Sequence, residues 1–270
     1  MKGHLFFLAS LVSAGVVAAG GTPALAAGLV PAAAGTITGS WGTAQAVPSL
    51  TANGEIDLNS VSCSHDGVCY ALGSNHDASK LPGPLFIVTD SGGTWGKPTG
   101  IPGLQTGLVD PEASAEISCP AAGDCLVTGE YYTSSTTGDG FTIEEVKGVW
   151  RKLEAIPGLA ALGPLGTDIT DTTCAAPGYC TVSGSYVTGT ESGANVGVSS
   201  FVADEVNYTW GKAAQVPNLA TLNVGDSAGP SSLACPSPKN CTLEGLYSPT
   251  LASSSATRTL RVDLGRRAGV

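Results

Sequence analysis

Four cysteine pairs with identical spacing divide this chain into four similar units. Within each pair five residues separate the cysteines, and the first cysteines follow one another at intervals of 56, 55 and 61 residues. The pairs are Cys63 and Cys69, Cys119 and Cys125, Cys174 and Cys180, and Cys235 and Cys241. A tryptophan precedes each pair by 22 to 25 residues, and an apolar-Pro-x-Leu segment lies between them. The tryptophans are Trp41, Trp95, Trp150 and Trp210. A period of this length is typical of a repeat architecture.

The first unit has the pattern of two successive β-hairpins. Two β-rich runs, 58–64 and 68–74, meet at a turn that contains Asp66-Gly67, and the two cysteines flank this turn on facing strands. A third run, 84–89, and a fourth, 94–98, follow after a loop. We therefore predict four antiparallel strands in each unit and one disulfide bond across each first hairpin, where the cysteines lie close enough to be bridged.

Four such units predict an all-β fold, a four-bladed β-propeller in which each blade is a four-stranded antiparallel sheet. The fourth unit ends without a tryptophan strand, whereas a lone tryptophan strand, 36–43, precedes the first unit. Pairing this N-terminal strand with the run at 259–263 would close the ring and leave no exposed sheet edge. A linear β-solenoid is the competing architecture. A half-ring that pairs with a second copy is a further alternative to the predicted monomer.

The start of the chain has the features of a secretory signal peptide. It combines Lys2, an apolar run from Leu5 to Ala19, and the small-residue sequence Ala24-Leu25-Ala26. We expect a secreted, extracellular protein, in which eight cysteines predict four disulfide bonds. The predicted parts are the signal peptide 1–26, a flexible segment 27–34, a single four-repeat propeller 35–264 and a tail 265–270.

Composition argues against two classes of partner. The net charge is −10, which repels the phosphate backbone of nucleic acids. After the signal peptide, no stretch approaches the 18 uninterrupted apolar residues of a membrane-spanning helix. We therefore expect neither nucleic-acid binding nor membrane insertion.

Residues Asp90 to Trp95 resemble the Asp box, D-x-G-x-T-W, of BNR-repeat, sialidase-like β-propellers. The full motif occurs once, through Asp90, Gly92, Thr94 and Trp95. The hairpin beginning Ser118-Cys119-Pro120 also resembles exported bacterial repeat proteins of this class. The resemblance implies a propeller fold, with the motif on the turn between the third and fourth strands of a blade. It also implies that Asp90 is structural, because in the family this carboxylate holds the amides of the turn.

Sialidase activity requires residues that this chain lacks. It needs an arginine triad to bind the substrate carboxylate, but Arg151 is the single arginine within the four units and the others lie in the last thirteen residues. Glu130-Tyr131-Tyr132 places an acid beside two phenols, and we interpret it as a solvated loop with aromatic packing. Hydrolysis of other glycosides requires only two carboxylates at a suitable separation. Glu144, Glu145, Asp204 and Glu205 are candidates, although Glu144 and Glu145 are neighbours on a strand and would point to opposite faces.

An aspartate recurs in the segment that enters the first cysteine strand of each unit. The four residues are Asp57, Asp110, Asp168 and Asp226. In sialidase-like blades this segment joins the outermost strand of one blade to the innermost strand of the next, near the axis. Four carboxylates that converge there would bind a hard cation, so the pattern predicts a Ca²⁺ site. The alternative is four independent, solvated acids.

These observations predict an exported, non-catalytic binding or interaction module for extracellular or cell-envelope carbohydrate or protein. The alternative is an extracellular glycoside hydrolase or lyase of the sialidase-like superfamily. A pair of carboxylates that face one cleft at the separation used by hydrolases would favour the alternative.

Overall fold

Sixteen β-strands and two short helical turns form within the part of the chain that the computed structural model describes. The described residues are 43, 46–47, 50, 56–75, 85–102, 104, 115–132, 138–189, 196–250 and 257–264. All the strands belong to one compact unit, Gln45–Val270, and a second unit is Met1–Ala44. No helix among the described residues is long and apolar enough to cross a membrane.

Each repeat forms one antiparallel sheet. The first sheet contains β1 (Ile56–Cys63), β2 (Val68–Asn75), β3 (Leu85–Ser91) and β4 (Thr99–Gly100). The second contains β5 (Glu116–Ala121), β6 (Asp124–Tyr132), β7 (Gly138–Val146), β8 (Val149–Trp150) and β9 (Glu154–Ala155). After the helical turn α1 (Leu159–Leu162), the third contains β10 (Thr167–Ala176), β11 (Tyr179–Thr188), β12 (Gly197–Asp204) and β13 (Ala214–Gln215). After α2 (Leu219–Leu222), the fourth contains β14 (Ala228–Ser237), β15 (Asn240–Tyr247) and β16 (Arg258–Leu264). The prediction of an all-β chain with four antiparallel sheets is confirmed.

A disulfide bond crosses the first hairpin of every sheet. The four bonds join Cys63 to Cys69, Cys119 to Cys125, Cys174 to Cys180 and Cys235 to Cys241. Their Cα–Cα distances are 4.0 to 4.1 Å, because the hairpin pairing already places the two strands face to face. The predicted disulfide pattern is confirmed.

Removing the buried disulfide of the second sheet is expected to destabilise the protein. Removing a disulfide bond that closes a loop of seven residues lowers the free energy of unfolding by roughly 2.4 kcal/mol. Cys119 and Cys125 are also 3% and 4% exposed, so replacing both by alanine leaves space in the core. Urea denaturation should show a larger loss for this double variant than for Cys63→Ala/Cys69→Ala, in which Cys63 is exposed. Unchanged stability in both variants would contradict the expectation.

A phenylalanine on the third strand of each of the first three sheets lies across from a glycine on the second strand. The pairs are Gly73 with Phe86, Gly129 with Phe141 and Gly184 with Phe201. All three rings are fully buried, and a Cβ added at Gly184 would lie 2.6 Å from the ring of Phe201. Glycine is therefore needed where the ring lies against the backbone, and the repeated pair gives the first three sheets the same core packing.

Hydrogen bonds from backbone N–H groups to side chains on the first strand of the preceding sheet join each sheet to the next. The backbone N–H of Cys119 donates to Ser62 Oγ at 2.9 Å, and the N–H of Cys174 donates to Ser118 Oγ at 2.9 Å. Leu233 N–H donates to Asp171 Oδ2 at 2.7 Å. The strands β1, β5, β10 and β14 consequently pack one against the next in chain order.

Among the described strands, none closes the ring that the sequence predicts. No pairing or extensive packing of the described strands joins the fourth sheet to the first. Val61 is 63% exposed on β1, whereas its counterparts in the other sheets, Ile117, Thr172 and Leu233, are 4%, 6% and 6% exposed. Apart from Thr43, the predicted closing strand 36–43 lies outside the described residues, as do segments 1–26, 27–34 and 265–270. Closure therefore stays a prediction.

A candidate binding site between the second and third sheets

An acidic residue lies opposite the second cysteine of the disulfide in three of the four sheets. The three acids are Asp90, Glu145 and Glu205. Each also pairs across the sheet with the tryptophan five residues later in the chain, namely Trp95, Trp150 or Trp210. The turn that contains the Asp-box sequence therefore has counterparts in the second and third sheets. The sequence motif missed them because glutamate replaces its aspartate and Lys147 or Asn207 replaces its glycine. The constant distance from the acid to the tryptophan is the signal that would have found them.

The turn with the Asp-box-like sequence begins at the end of β3, which includes Asp90 and Ser91. Backbone groups close it, since Ser91 N–H donates to Thr94 O at 3.3 Å, and Gly92 and Gly93 adopt φ angles of 71° and 83°. The Oδ1 atom of Asp90 is buried and accepts no hydrogen bond from the described residues. The amide-holding role that the family resemblance implies for Asp90 stays a prediction.

Glu205 is a buried acid that shares its surroundings with a second carboxylate. It is 3% exposed, and its carboxyl group lies within hydrogen-bonding range of Glu144. Burial first and Glu144 second raise the pKa of Glu205 to about 8, while the guanidinium of Arg151 lowers it. Glu205 is therefore mainly protonated at neutral pH, because burial and a neighbouring negative charge both disfavour its ionised form.

Glu144 is the centre of a polar network that joins the two sheets. Its Oε2 accepts a hydrogen bond from Arg151 Nη1 at 2.9 Å, and its Oε1 accepts one from the indole Nε1 of Trp210 at 3.1 Å. The guanidinium of Arg151 lies 5.1 Å from the ring centroid of Tyr208, in cation–π geometry. The hydroxyl of Tyr208 donates to Asp124 Oδ1 at 3.0 Å. Trp210 and Tyr208 of the third sheet are thereby held against the second sheet.

Local backbone geometry places these aromatic residues. Asn207 and Tyr208 adopt φ angles of 52° and 58°, so the chain reverses tightly between Glu205 and Trp210. Asparagine tolerates this left-handed conformation well, whereas tyrosine adopts it at a cost. The cation–π contact and the hydrogen bond to Asp124 offset that cost for Tyr208.

A cleft of about 280 Å³ opens beside this network. Trp210 and Tyr208 contribute aromatic walls, and both are partly exposed. Arg151 and Glu144 lie on its wall, together with Lys152 and Glu154, so cationic and anionic groups balance. A concave surface with aromatic rings and both hydrogen-bond donors and acceptors suits an uncharged ligand that carries several hydroxyl groups.

Of the carboxylates considered for hydrolysis, Glu144 and Glu205 come together but do not have the separation of a glycosidase pair. Glu144 and Glu205 converge, but their hydrogen-bonding contact is closer than the roughly 5–5.5 Å of retaining enzymes or 6.5–9.5 Å of inverting enzymes. Asp204 accepts a hydrogen bond from Thr181 Oγ1 at 2.7 Å. Glu145 has a buried Oε2 without a partner among the described residues, and burial raises its pKa.

The acid and two phenols at 130–132 lie in strand β6 rather than in the loop that the sequence predicted. Glu130 Oε1 accepts a hydrogen bond from the N–H of Ile169 at 3.2 Å. Tyr131 packs edge-on against Phe141 with 6.3 Å between ring centroids, which confirms the expected aromatic packing. These contacts give the segment a part in the packing of the sheets.

The aspartates predicted to bind calcium do not occupy equivalent positions. Asp57 and Asp168 lie at matching places on β1 and β10, but Asp226 lies in the turn before β14 with a φ angle of 52°. These three are exposed, and Asp110 lies outside the described residues. Among the residues that the structure describes, no three acidic, histidine or cysteine side chains are arranged to hold a metal ion. Calcium binding stays a prediction.

Comparison with known proteins does not identify a family. No family model matches the chain, and no curated protein matches it. A solved structure named glycoside hydrolase is similar with a TM-score of 0.39 and 10% identity, over 76% of this chain and 69% of that one. A similarity of this size does not establish a shared fold or activity, and we draw nothing from it. The resemblance to sialidase-like propellers stays a prediction.

Proposed function

We propose that this protein is a secreted, non-catalytic β-propeller that binds an uncharged glycan in the cleft beside Trp210 and Tyr208. The observation that carries the proposal is the position of Trp210, whose indole is fixed by its hydrogen bond to Glu144 while its ring contributes to the cleft wall. The apolar faces of sugar rings pack well on such an aromatic surface, because both are flat and partly apolar. The four disulfide bonds support secretion, since such bonds persist in oxidising compartments.

The polar residues of the cleft would supply the remaining contacts with sugar hydroxyls. Arg151 and Lys152 donate hydrogen bonds, and the carboxylates of Glu144 and Glu154 accept them. Because Arg151 is already paired with Glu144, an additional acidic group on the ligand would find little uncompensated positive charge. This balance favours a neutral glycan over an acidic one.

Hydrolysis remains the second candidate because of one observation. Glu205 is protonated near neutral pH and contacts Glu144, which is paired with Arg151, and a protonated carboxyl beside a second acidic side chain resembles an acid–base couple. Their close contact argues against it, because no substrate atom or water fits between them. Binding is therefore the preferred function.

The preferred function predicts that replacing Trp210 by alanine weakens glycan binding at least tenfold. The mature protein should first be tested on a glycan array and in a polysaccharide-hydrolysis screen, and the best ligand then titrated by calorimetry. Trp95→Ala is the matched control, because Trp95 takes the same place in the first sheet but does not line the cleft. Equal glycan affinity in the Trp210 and Trp95 variants would show that the cleft is not the glycan-binding site. Release of oligosaccharides would favour the hydrolase.

A further inference from the structure

The tight turn of residues 206–209, which we name the aromatic turn, differs from its counterparts in the first two sheets. The two central residues of the turn have positive φ angles in all three sheets. The second of them is glycine in the first two sheets, Gly93 at 83° and Gly148 at 80°, but Tyr208 at 58° in the third. A bulky side chain keeps this conformation only where its surroundings hold it, and such strain concentrates at functional sites. The contacts that hold Tyr208 therefore bear on the cleft.

The disulfide-bonded hairpin of the third sheet lies directly against the aromatic turn. The carbonyl oxygen of Gly178, between β10 and β11, accepts a hydrogen bond from the N–H of Tyr208 at 3.3 Å. A Cβ added at Gly178 would lie 2.8 Å from the ring of Tyr208 and 2.9 Å from its backbone nitrogen. The absence of a side chain at Gly178 thus allows the tyrosine to pack on the hairpin.

The next residue of the hairpin, Tyr179, holds the other central residue of the aromatic turn. Its hydroxyl donates a hydrogen bond to Asn207 Oδ1. Tyr179 precedes Cys180, so it projects from a strand that the disulfide bond ties to its neighbour. From the other side, Asp124 Oδ1 of the second sheet accepts the hydroxyl of Tyr208 at 3.0 Å. The aromatic turn is therefore held both by its own hairpin and by the neighbouring one.

We propose that the disulfide hairpin of the third sheet positions the aromatic walls of the cleft, with Gly178 and Tyr179 as positioning residues. This role rests on the proposed function, because the walls are those of the proposed glycan site. Neither residue lines the cleft, so each acts through the aromatic turn, Tyr179 through Asn207 and Gly178 through Tyr208.

The contacts of the turn reach Trp210 through the second sheet. The ring of Tyr208 lies 5.1 Å from the guanidinium of Arg151. Arg151 pairs with Glu144, which also accepts the indole N–H of Trp210 at 3.1 Å. A displaced Tyr208 ring deprives Arg151 of its aromatic contact and loosens the hydrogen bond that fixes the indole. The hairpin thereby controls both aromatic walls.

The indole N–H signal of Trp210 in heteronuclear NMR tests this role without any glycan. The variant Trp210→Phe assigns the signal. Tyr179→Phe removes only a hydroxyl, and we expect it to shift the signal and to speed hydrogen exchange of the indole about fivefold, as the loss of one hydrogen bond would. Gly178→Ala should shift the signal further, because the added methyl group forces the ring of Tyr208 away.

Gly67→Ala is the matched control for Gly178→Ala. Gly67 takes the same place in the hairpin of the first sheet, with a φ angle of 81°, so alanine strains the backbone equally at both positions. A Cβ at Gly67, however, meets nothing within 4 Å. We expect Gly67→Ala to leave the Trp210 signal unchanged. Equal shifts in the two alanine variants, or an unchanged signal in Tyr179→Phe, would overturn the proposal.

Asn207→Gly tests whether Tyr179 acts through Asn207. Glycine keeps the positive φ angle of the turn and removes the oxygen that accepts the tyrosine hydroxyl. The indole of the double variant Tyr179→Phe/Asn207→Gly should exchange no faster than in either single variant, because both remove the same hydrogen bond. Additive effects would refute this route.

Titration with the glycan selected on the array distinguishes this proposal from the proposed function. Tyr179→Phe is expected to weaken binding about fivefold, and Gly67→Ala to leave the affinity unchanged. If the wild-type protein binds no glycan, the proposed function fails, while the indole signals still decide the positioning role. If the wild type and Tyr179→Phe bind the glycan equally well, the proposed function stands and the positioning role fails.

Discussion

Raising the pH from 5 to 9 is expected to destabilise this protein, and replacing Glu205 by glutamine is expected to remove most of that loss. The pKa of Glu205 is about 8 in the folded protein and about 4.3 in an unfolded chain. At any pH between these two pKa values, the folded state binds more protons than the unfolded state. The stability associated with the neutral carboxyl is therefore complete below the unfolded pKa and is lost as the pH rises through 8.

The expected loss is on the order of 3 kcal/mol, since each unit of pKa shift corresponds to about 1.4 kcal/mol and the neighbouring Glu144 shares in the titration. Glu116 and Glu145 also have pKa values raised by burial, so part of the pH dependence should remain in the variant. All eight cysteines are in disulfide bonds, which removes thiol ionisation as a competing cause.

Urea denaturation at pH 5, 7 and 9 measures this effect. Glu205→Gln should be close to the wild type at pH 5 and clearly more stable at pH 9. Glu154→Gln is the control, because Glu154 is an exposed carboxylate on the neighbouring sheet. A wild-type protein whose stability does not fall with pH, or a Glu205→Gln variant that falls equally, would contradict the proposed protonation of Glu205.

Ionisation of Glu205 should also affect the proposed glycan cleft. Once ionised, Glu205 would place a second negative charge beside Glu144 and compete for Arg151, which now pairs with Glu144 and lies over Tyr208. The network that positions Trp210 would then be weakened. Glycan affinity is accordingly expected to fall above pH 8, together with stability.

Local features of the fold could be predicted from the sequence because they depend on residues close together in the chain. Each disulfide joins residues six positions apart across a hairpin turn, so the cysteine spacing and the turn residues are sufficient. The third strand predicted at 84–89 is observed as Leu85–Ser91. The fourth, predicted at 94–98, is wrong in position, since Trp95 makes only an isolated bridge and β4 is Thr99–Gly100. Pro98 has no N–H to donate, so the ladder resumes only after it.

The candidate site could not be predicted in the same way because it forms between sheets. Glu144 and Trp210 are 66 positions apart, and no local pattern specifies that their side chains meet. Glu205 was one of four candidate acids, but its burial depends on how the third sheet packs against its neighbours. The tryptophan five residues later shows in the sequence that Glu205 is equivalent to Asp90. A motif search misses it, because glutamate replaces the aspartate and Asn207 replaces the glycine.

Introducing a charge at Val61 is expected to reveal whether the sheets close into a ring. In a closed ring the fourth sheet would cover Val61 on the first sheet. The equivalent residues Ile117 and Leu233 are already covered by the sheets that precede theirs. Val61→Asp would then bury a carboxylate and lower the free energy of unfolding by on the order of 2–4 kcal/mol. Val149→Asp is the matched control, because Val149 is 66% exposed and lies on β8.

The predicted closing strand gives a second, independent measurement of the same ring. Deleting residues 27–43 should expose the edge strand β16 and cost several times more stability than removing residues 266–270, because only the first deletion removes a sheet partner. Size-exclusion chromatography distinguishes closure within one chain from closure between two, since a half-ring that pairs with a second copy elutes as a dimer whose stability depends on concentration. If Val61→Asp and Val149→Asp are equally stable and the N-terminal deletion leaves the melting temperature unchanged, the four sheets form an open array, and the exposed side of β1 is a free surface.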